Sequence, residues 1–444
     1  MGNHYPMAAP FSDGVWFDSH DHLFKMWYQC ASPSPAPKKA IFYTCYATST
    51  DGKRWEKPLL DVIPGTNIVF PVEHDSTVVW VDADEHDSEQ RYKLFVSKAD
   101  GAVSTYSSND GIHWSATSAE HRYSWVGDRN TVFYNPFRGV WVYSIRDKKP
   151  YPGLGRIRYY SESPGLSAGL DHWQPLAWIG ADNRDLRNPH YPEIEPQLYA
   201  LDAVAYESVM VGLFSIWEGP ENKVAAANHI QKRNQIMLGF SRDGYHWDRP
   251  DRHPFLKVNE TEGAWNWGNM QSVGGGFLVV GDQLYFYSSG RQRNDEEWDS
   301  HSSSGLFFLR RDGFASMDAD ARKGVLTTRL LTFSGSQLFV NFATSGGEMR
   351  VEALDEEGRV IPSLAASDCI PIQTDSTHHL VRWKDHADLS MLSGKKVRFR
   401  FLVERGELYS FWVSPDRSGA SRGFVAAGGP GFEGYKDIPS AKQR

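Results

Sequence analysis

A seven-residue pattern that recurs along the chain decides the fold class. Residues 108–114 read Ser-Asn-Asp-Gly-Ile-His-Trp, and two more copies read Ser-Thr-Asp-Gly-Lys-Arg-Trp (49–55) and Ser-Arg-Asp-Gly-Tyr-His-Trp (241–247). Asp-Gly is typical of a tight turn between antiparallel strands, because both residues tolerate a positive φ. Degraded copies contain Asp171-His172-Trp173 and Asp312-Gly313. The pattern therefore predicts repeated units, roughly 60 to 70 residues apart.

Each of these units is expected to place two short strands ahead of the strand that enters the turn, because aromatic and β-branched runs separated by polar turns are typical of strands. The first strands are predicted at 15–18, 77–82, 131–135, 197–202 and 277–280. The second strands are predicted at 22–29, 92–97, 140–146, 208–217 and 283–289, and the third at 41–48, 102–107, 157–161, 235–240 and 305–309. The sequence thus predicts an all-β fold with a five-bladed β-propeller. The alternative is a set of unrelated hairpins in a sandwich.

The domain organisation follows from where this pattern stops. Residues 1–322 are predicted to form the propeller, which would be the catalytic domain. Residues 323–414 alternate over short strands separated by acidic or glycine turns, which is typical of a β-sandwich. Residues 415–444 are rich in glycine and serine and are expected to form an extended tail.

Composition excludes several classes of protein. The 444 residues carry 47 Lys and Arg against 55 Asp and Glu, a net charge of −8, which argues against nucleic acid as a partner. No apolar run approaches the roughly 18 residues of a membrane span, so no membrane partner is expected. The N-terminus shows no signal peptide, which fits a cytoplasmic protein or a secreted one with its leader removed. Oligomeric state stays open.

Cysteine, histidine and glycine patterns give no sign of a cofactor. The three cysteines are too few for a disulfide scaffold. Cys30 and Cys45 are expected to face each other on neighbouring strands, as a free pair if the chain is cytosolic. No His, Cys and Asp spacing resembles a zinc site, so no metal is predicted. The repeated tryptophans and histidines of the turns are interpreted as packing and surface groups.

Candidate catalytic residues come from the propeller geometry. The residue just before each first strand lies at one mouth of the central channel, and these residues are Asp13, Asp75, Asp128, Glu195 and Gln271. Four of them are carboxylates, and crowding of like charges is expected to raise at least one pKa. Such a pair can supply one acid and one ionised base. The alternative is that the aspartates only cap turns. For Asp75 this alternative is as well supported as a functional role.

Aromatic and arginine side chains are predicted to converge on the same mouth, because the connections between second and third strands end there. Rings that stack on sugar faces and donors that bind hydroxyls suit an oligo- or polysaccharide substrate. The predicted substrate-binding residues are His4, Asp75, Trp125, Arg129, Glu193, Trp217, Trp267, Gln271 and Arg291.

Three segments resemble the five-bladed propeller glycoside hydrolases of families 32 and 43. Residues 11–29 resemble the opening of family 32, in which an Asp segment is followed by a Leu-Phe-Tyr-Gln strand; here it contains Asp13 and Leu23-Phe24. Residues 128–141 resemble its Arg-Asp-Pro segment, although Arg129 follows Asp128 here. Glu195-Pro196 resembles its Glu-Cys-Pro segment without the cysteine.

The resemblance implies a role for each of three residues. Asp13 would be the nucleophile, or the base that activates water; Asp128 would stabilise the transition state; Glu195 would be the general acid, with Glu193 as its rival. The distance between the two carboxyl groups would distinguish retention, at about 5–5.5 Å, from inversion, at about 6.5–9.5 Å. The expected activity is cleavage of a glycosidic bond, in the manner of a fructosidase or an arabinofuranosidase. The alternatives are a non-catalytic carbohydrate-binding propeller and a glycoside phosphorylase, for which Arg129 and Arg146 would bind phosphate.

Overall fold

The computed structural model describes residues 7–33, 40–171, 173–292, 302–384 and 388–438. The fold is all-β, as predicted. In these residues the single α-helix is α1 (Asn222–Ala227), and short 3-10 helices occur at Ser88–Gln90, Ala168–Leu170 and Ser390–Leu392. No described helix is both long and apolar enough to cross a membrane.

The chain divides into two compact units. The first contains residues 1–278, 285–307 and 424–430, and the second contains residues 279–284, 308–423 and 431–444. The division therefore falls near residue 308, and part of the glycine-rich C-terminal segment belongs to the first unit.

Three antiparallel sheets follow one another along the first unit. The first sheet consists of β1 (Val15–Asp18), β2 (Leu23–Pro33), β3 (Ala40–Ser49) and β4 (Ile68–Phe70). The second consists of β5 (Ser76–Val81), β6 (Tyr92–Ser97), β7 (Ala102–Ser108), β8 (Ser115–Ala116) and β9 (His121–Arg122). The third consists of β10 (Thr131–Asn135), β11 (Val140–Ile145), β12 (Ile157–Ser163) and β13 (Leu176–Gly180).

A fourth sheet of eight strands contains the remaining two repeats, joined by a parallel bridge between Asn234 and Asn269. Seven of its strands are β14 (Gln197–Glu207), β15 (Val209–Gly219), β16 (Arg233–Ser241), β17 (Asn269–Val273), β18 (Leu278–Val280), β19 (Gln283–Arg291) and β20 (Ser302–Arg310). The eighth is β26 (Phe424–Val425), which is numbered after the strands of the second unit because it follows them in the chain. β26 pairs with β14, so the glycine-rich C-terminal segment contributes a strand here.

The first strand of the last repeat begins earlier than the sequence indicates. The apolar run 277–280 forms β18, but β17 precedes it and contains Gln271, so Gln271 lies within a strand. Gly274 separates the two strands, and a Cβ there would lie 2.7 Å from the Val15 side chain. The chain approaches β1 too closely at this point for any larger residue.

The three complete Ser-x-Asp-Gly turns have the same internal hydrogen bonds. In the turn after β7, the Ser108 hydroxyl accepts from the Gly111 backbone N–H at 2.9 Å, and the Asp110 carboxylate accepts from those of Ile112 and His113 at 2.8 and 2.9 Å. The turns at Asp51 and Asp243 repeat this arrangement. The repeated Ser-x-Asp-Gly sequence is therefore a structural motif.

Each of these turns also contacts the preceding sheet. Trp27 of β2 donates its indole N–H to Gly111 O at 2.8 Å, and the Asn135 amide, which ends β10, donates to Asp243 O at 2.7 Å. The first turn has no earlier sheet, and its Gly52 O accepts from the Tyr287 hydroxyl of β19 at 2.6 Å. The contacts thus run in a cycle that joins the last repeat to the first.

The first strands show the same cyclic order. Gly274 O accepts from Val15 N at 3.0 Å, and Asp13 O accepts from Val79 N at 2.7 Å. β5 contacts β10. The Thr131 hydroxyl of β10 donates to Leu201 O of β14 at 2.6 Å, and the Ser272 hydroxyl of β17 donates to Asp202 of β14 at 3.1 Å. The strands β1, β5, β10, β14 and β17 therefore form a closed succession.

The second unit is built on two long strands around its own core. Its strands are β21 (Met317–Ala319), β22 (Gly324–Thr327), β23 (Gln337–Leu354), β24 (Ser376–Leu380) and β25 (Arg398–Ser414). β23 and β25 pair along their whole length, with register shifts after Asn341 and Thr344. Each joins two of the short strands that the sequence predicts in this region, 338–342 and 349–354 in β23, and 397–402 and 408–413 in β25. Their apolar side chains, with Trp383 and Leu392, form a buried cluster.

One prediction about cysteine was wrong. Cys30 on β2 and Cys45 on β3 form a disulfide, with the Cα atoms 5.8 Å apart, rather than a free pair. The pairing of β2 with β3 places Cys30 opposite Tyr43 and Cys45 opposite Tyr28, so the cysteines are diagonal neighbours within bonding reach. Cys369 is buried as a free thiol in the second unit.

We predict that Gly111→Ala destabilises the protein more than Gly65→Ala. Both glycines have positive φ, +76° and +79°, so both variants share the strain of an L-residue in that conformation. A Cβ at Gly111 would lie 2.6 Å from the Trp27 ring, whereas a Cβ at Gly65 meets nothing within 4 Å. Urea denaturation should show losses of about 2–4 kcal/mol for Gly111→Ala and about 1 kcal/mol for Gly65→Ala. Equal losses would contradict the close contact between turn and sheet.

We also predict the number of reactive thiols. With Cys30 and Cys45 joined, the unfolded protein should react with one equivalent of a thiol reagent before reduction and three after it. The Cys369→Ser variant is the control and should give none before reduction. Three reactive thiols without reductant would disprove the disulfide.

Candidate functional site

Asp13 is held by a short loop that precedes β1. Its backbone N–H donates to Pro10 O at 2.8 Å, and its carbonyl accepts from Val79 N at 2.7 Å. The next residue, Gly14, has φ of +122°, and a Cβ there would lie 2.6 Å from Val79 O. Only glycine lets the chain pass β5 this closely, so the loop fixes the position of Asp13.

The Asp13 carboxyl group is almost completely removed from solvent. Its side chain is 2% exposed, and the Thr77 hydroxyl donates to Oδ1. Oδ2 has no hydrogen-bond partner among the described residues. Burial raises the pKa of Asp13 to about 7, although the Thr77 hydrogen bond and the positive charge of Arg129 oppose this. The group can therefore gain and lose a proton near neutral pH.

Asp18, at the other end of β1, is also buried, but its pKa is lowered rather than raised. Burial raises its pKa, but a hydrogen bond and ion pair with Lys25 at 2.8 Å, together with Tyr92 and Arg91, outweigh burial and lower the pKa to about 2. Asp18 thus stays ionised. The comparison shows that the absence of a directly paired cation, rather than burial alone, makes Asp13 titratable.

A second titratable carboxyl group, Asp202, lies in β14. It is 4% exposed and accepts from the Ser272 hydroxyl at 3.1 Å, and Ser272 in turn lies 3.0 Å from the hydroxyl of Ser12, which adjoins Asp13. Burial raises the pKa of Asp202 to about 7 against the effects of Ser12, Ser272 and Arg158. The sequence pointed to crowded charges as the cause of raised pKa values, but the first cause for both aspartates is burial.

Arg129 connects the first three repeats. Its backbone N–H donates to Asp75 Oδ2 at 2.9 Å, and its guanidinium donates to Gln29 Oε1 at 3.2 Å. Gln29 itself donates to Asp75 O at 3.0 Å. The guanidinium also lies 3.8 Å from the centre of the Phe11 ring. Arg129 has φ of +54°, a strained conformation for a residue with a side chain, and these contacts hold it.

Tyr199 connects the third, fourth and fifth repeats. Its hydroxyl lies 3.4 Å from Asp128 Oδ2, to which it donates, and accepts from the Gln271 amide at 3.1 Å. Gln271 Oε1 accepts from Arg291 at 3.2 Å, and Asp128 is ion-paired with Arg146.

We call the resulting group the mouth cluster. It consists of Asp13, Gln29, Asp75, Asp128, Arg129, Arg146, Tyr199, Gln271 and Arg291.

Most of the residues predicted from the sequence belong to this cluster. Asp13, Asp75, Asp128, Arg129, Gln271 and Arg291 are members of it. Trp217 is buried beside Tyr199, with the Arg156 guanidinium 4.5 Å from its ring centre.

The other predicted residues that the structure describes are not members of the mouth cluster. Glu195 is 67% exposed and ion-paired with Arg187, and Glu193 is exposed. The Trp125 ring contacts Tyr123, Tyr159 and Trp173. Trp267 is half-buried, and its described hydrogen bond runs from its backbone N–H to Ala264 O at 3.0 Å. His4 lies outside the described residues.

The structure adds functional candidates that the sequence argument did not select as site residues. Tyr199 and Asp202 are polar residues in an otherwise apolar strand, which is the signal that could have marked them. Glu218 of β15 is 1% exposed and accepts from Arg233 and Gln235, both at 2.9 Å. Burial raises the pKa of Glu218 against these two partners. Glu218 lines a cavity of about 810 Å³ with Arg187, Lys257 and Asn259.

No cluster of three or more His, Cys, Asp or Glu side chains that could hold a metal ion occurs in the described part of the chain. The residues of the mouth cluster offer proton transfer by carboxyl groups and binding by arginine, amide and aromatic side chains.

Comparison with known proteins gives similarity of fold only. No family model and no curated protein matches the sequence. A fructofuranosidase from Schwanniomyces occidentalis, solved with fructose, is 12% identical; the match covers 93% of this chain and 96% of that one, with a TM-score of 0.45. An exo-β-1,3-galactanase from Phanerochaete chrysosporium is 10% identical over 91% and 96% of the chains, with a TM-score of 0.41.

A third similar structure is an N-acetylgalactosamine deacetylase from F. plautii, 15% identical over 69% of this chain and 92% of that one, with a TM-score of 0.44. Because all three TM-scores are below 0.5, the function proposed below rests on this chain's own residues.

We predict that the protein loses stability as the pH rises from about 5 to about 8. The folded-state pKa values of Asp13 and Asp202 are above the ordinary 3.8, so the folded protein holds protons that the unfolded chain has released. The free energy of unfolding then falls with rising pH. Between about pH 5 and about pH 8, the free energy of unfolding measured in urea should fall by about 2–3 kcal/mol less for Asp13→Asn than for the unmodified protein.

Glu262→Gln is the control for this measurement, because Glu262 is exposed. It should follow the unmodified protein at both pH values. If Asp13→Asn did the same, Asp13 would be ionised in the folded protein throughout this range.

Proposed function

We propose that this protein is a glycoside hydrolase that cleaves a furanoside at the mouth cluster of a five-bladed β-propeller. The observation that carries the proposal is the buried, titratable carboxyl group of Asp13, whose pKa is raised by burial against the charge of Arg129. Arg129 follows Asp128 directly in the chain, and Arg158 donates to the backbone carbonyls of both Arg129 and Tyr199, the partner of Asp128. Paired carboxyl groups in different environments are what hydrolysis of a glycosidic bond requires.

The cyclic contacts support the propeller architecture. β1, β5, β10, β14 and β17 contact one another in a closed order, and the turn at Gly52 reaches β19. The mouth cluster draws residues from each of these five repeats, as expected for a site on a propeller axis. We assign residues 1–322 to this catalytic domain, 323–414 to a β-sandwich and 415–444 to a C-terminal tail.

Asp13 is proposed as the nucleophile, or as the base that activates water. An ionised Asp13 attacks through Oδ2, the oxygen without a hydrogen-bond partner, while Thr77 holds Oδ1. Burial makes the ionised form costly, and formation of an oxocarbenium-like transition state places positive charge beside it. The interaction is therefore stronger in the transition state than in the ground state, which is the requirement for catalysis.

Asp128 and its partners are proposed to bind the sugar. The carboxylate, held by Arg146 and Tyr199, accepts a hydrogen bond from a sugar hydroxyl close to the reacting carbon. Gln271 and Arg129 supply donors for other hydroxyl groups, and Trp217 supplies an apolar surface for a sugar face.

Glu195 is proposed as the general acid. It lies two residues before β14, whose Gln197 accepts from Arg156 at 2.8 Å, so it is at the end of the strand where the cluster lies. Its ion pair with Arg187 is exposed, and such pairs contribute little stability, so the side chain can turn to the leaving group at small cost. Glu218 is the second candidate, because it is buried and its pKa is raised.

We predict that Asp13→Asn and Glu195→Gln fail in different ways on a panel of aryl furanosides, aryl pyranosides and unactivated glycans. Asp13→Asn should lose about 10³-fold or more in kcat on every substrate. Glu195→Gln should lose about 10²–10⁴-fold on unactivated glycans but little on dinitrophenyl glycosides, whose leaving group needs no proton. NMR of the first anomer released gives retention or inversion.

Glu218→Gln and Glu193→Gln test the two rival candidates for the general acid. If Glu195→Gln keeps full activity on unactivated glycans and Glu218→Gln shows the leaving-group dependence instead, the acid is Glu218. The kcat/KM of the unmodified protein should rise with pH through about 7, because Asp13 acts ionised. Failure of the unmodified protein to cleave any glycan or aryl glycoside would refute the proposed reaction.

A further inference from the structure

Two arginines, Arg146 of the mouth cluster and Arg156 beside Trp217, have buried donors without an acceptor in the described part of the chain. Arg146, 16% exposed, is ion-paired with Asp128, and Arg156, 19% exposed, donates to Gln197 Oε1 at 2.8 Å and contacts Glu221 at 3.2 Å. The Nε atoms of both are buried and have no hydrogen-bond partner among the described residues. A buried donor left unmatched is costly in a folded protein.

Positive charge is also concentrated here. Arg158 is completely buried, and its charge and that of Arg156 both act on Arg146. Lys232 Nζ lies 5.3 Å from the Tyr199 ring centre. Arg129 directly follows Asp128 in the chain. Burial lowers the pKa of Arg146, and the neighbouring arginine charge lowers it further. Like charges held this close repel one another.

The carboxylates nearby leave the two Nε donors unmatched. Asp128 is paired with Arg146, and Glu221 is 3.2 Å from Arg156 but mostly exposed. Asp75 accepts from a backbone N–H of Arg129 rather than from a guanidinium. A negatively charged ligand would satisfy the unmatched Nε donors and reduce the repulsion between the guanidinium groups.

The chemistry of such a ligand follows from the donors. A guanidinium presents its N–H groups in a planar fork, which matches the oxygens of carboxylate, sulfate or phosphate. Trp217 lies under Arg156 at 4.5 Å, and Tyr199 is beside Arg146, so an aromatic surface adjoins the cationic one. A sugar that carries an oxyanion presents the same combination of an apolar face and a negative group.

We propose that Arg146 and Arg156 bind an oxyanion carried by the glycan, so that the substrate is an acidic sugar, a uronate or a sulfated residue, rather than a neutral one. This inference rests on the proposed function for the identity of the ligand as a glycan. A free phosphate is the other source of the same oxyanion, and the experiment separates the two.

The test is binding of matched neutral, uronate and sulfated glycans, immobilised on one array, by the full-length protein and by its Arg156→Gln and Arg146→Gln variants. The unmodified protein should retain the acidic glycans. Each substitution should weaken that binding about tenfold or more, because a charge-assisted bidentate contact is lost, and should change binding of the neutral analogues less than about twofold. Equal retention of neutral and acidic forms, or equal weakening of both, overturns the inference.

Arg138→Gln is the matched control, because Arg138 is ion-paired with Glu162 at 2.7 Å in the turn at the opposite end of β10, and it should bind as the unmodified protein does. Since Arg146→Gln leaves Asp128 without its ion pair, circular dichroism establishes that each variant is folded, and Arg156→Gln alone suffices for the conclusion.

A calorimetric titration with inorganic phosphate forms the second arm. Phosphate binding that Arg156→Gln abolishes, in a protein that retains no acidic glycan, overturns the glycan as source and assigns the oxyanion to free phosphate. Retention of acidic glycans without cleavage of any substrate supports the inference and refutes the proposed hydrolysis. Cleavage of neutral glycosides as fast as of acidic ones supports the proposed hydrolysis and overturns the inference of an acidic substrate.

Discussion

One buried guanidinium, that of Arg158, determines how the strands meet at the mouth cluster. It donates to the Ser144 hydroxyl at 2.9 Å and the Ser144 carbonyl, to Tyr199 O at 3.0 Å and to Arg129 O at 2.8 Å. Burial lowers the pKa of Arg158 to about 9, and Asp202 opposes that shift. A buried cation is tolerated only when its donors are matched, so the backbone of β10, β11 and β14 must bring these carbonyls together. Arg158 thus positions Arg129, whose backbone N–H binds Asp75, and Tyr199, whose hydroxyl binds Asp128.

The two ends of β1 each have a buried aspartate, but the pKa of one is lowered and that of the other is raised. At one end, Asp18 is surrounded by Lys25, Arg91 and Tyr92 and remains ionised. At the other end, Asp13 has a hydroxyl and a more distant arginine, and it titrates near neutral pH. The first arrangement stabilises the fold, and the second lowers stability at high pH in exchange for a reactive group. A carboxyl group kept in an unfavourable environment is typical of a catalytic site.

The repeat made most of the fold predictable. The Asp-Gly turns and short apolar runs located the first strand at 15–18 without error, and the other strands within a few residues, because local turn chemistry and strand alternation act over short distances. β17 was missed because its sequence, Asn-Met-Gln-Ser-Val, is polar and is buried by the neighbouring repeats rather than by its own pattern. The merging of short strands into β23 and β25 also depends on pairing across the sheet, which no local pattern records.

The site was predictable in part for the same reason. Asp13, Asp75 and Asp128 could be found because position relative to a first strand determines where a residue lies in the repeat. The burial of Asp202 depends on Ser12 and Ser272, which belong to other repeats. The ion pairs of Glu195 with Arg187 and of Asp128 with Arg146 are closer in the chain, but they follow no repeated pattern that the sequence could reveal. Burial, rather than crowding, as the cause of the raised pKa values is likewise a property of the assembled sheets.

The Asp-Gly turns have a consequence for how this protein can change during evolution. Because a carbonyl in each complete turn accepts a hydrogen bond from a neighbouring repeat, an insertion there would disturb two repeats at once. The connections at the other end lack the repeated motif, and they differ widely in length, from four residues between β6 and β7 to thirteen between β15 and β16. New specificities can therefore arise by lengthening one rim of the molecule while the opposite rim preserves its stability.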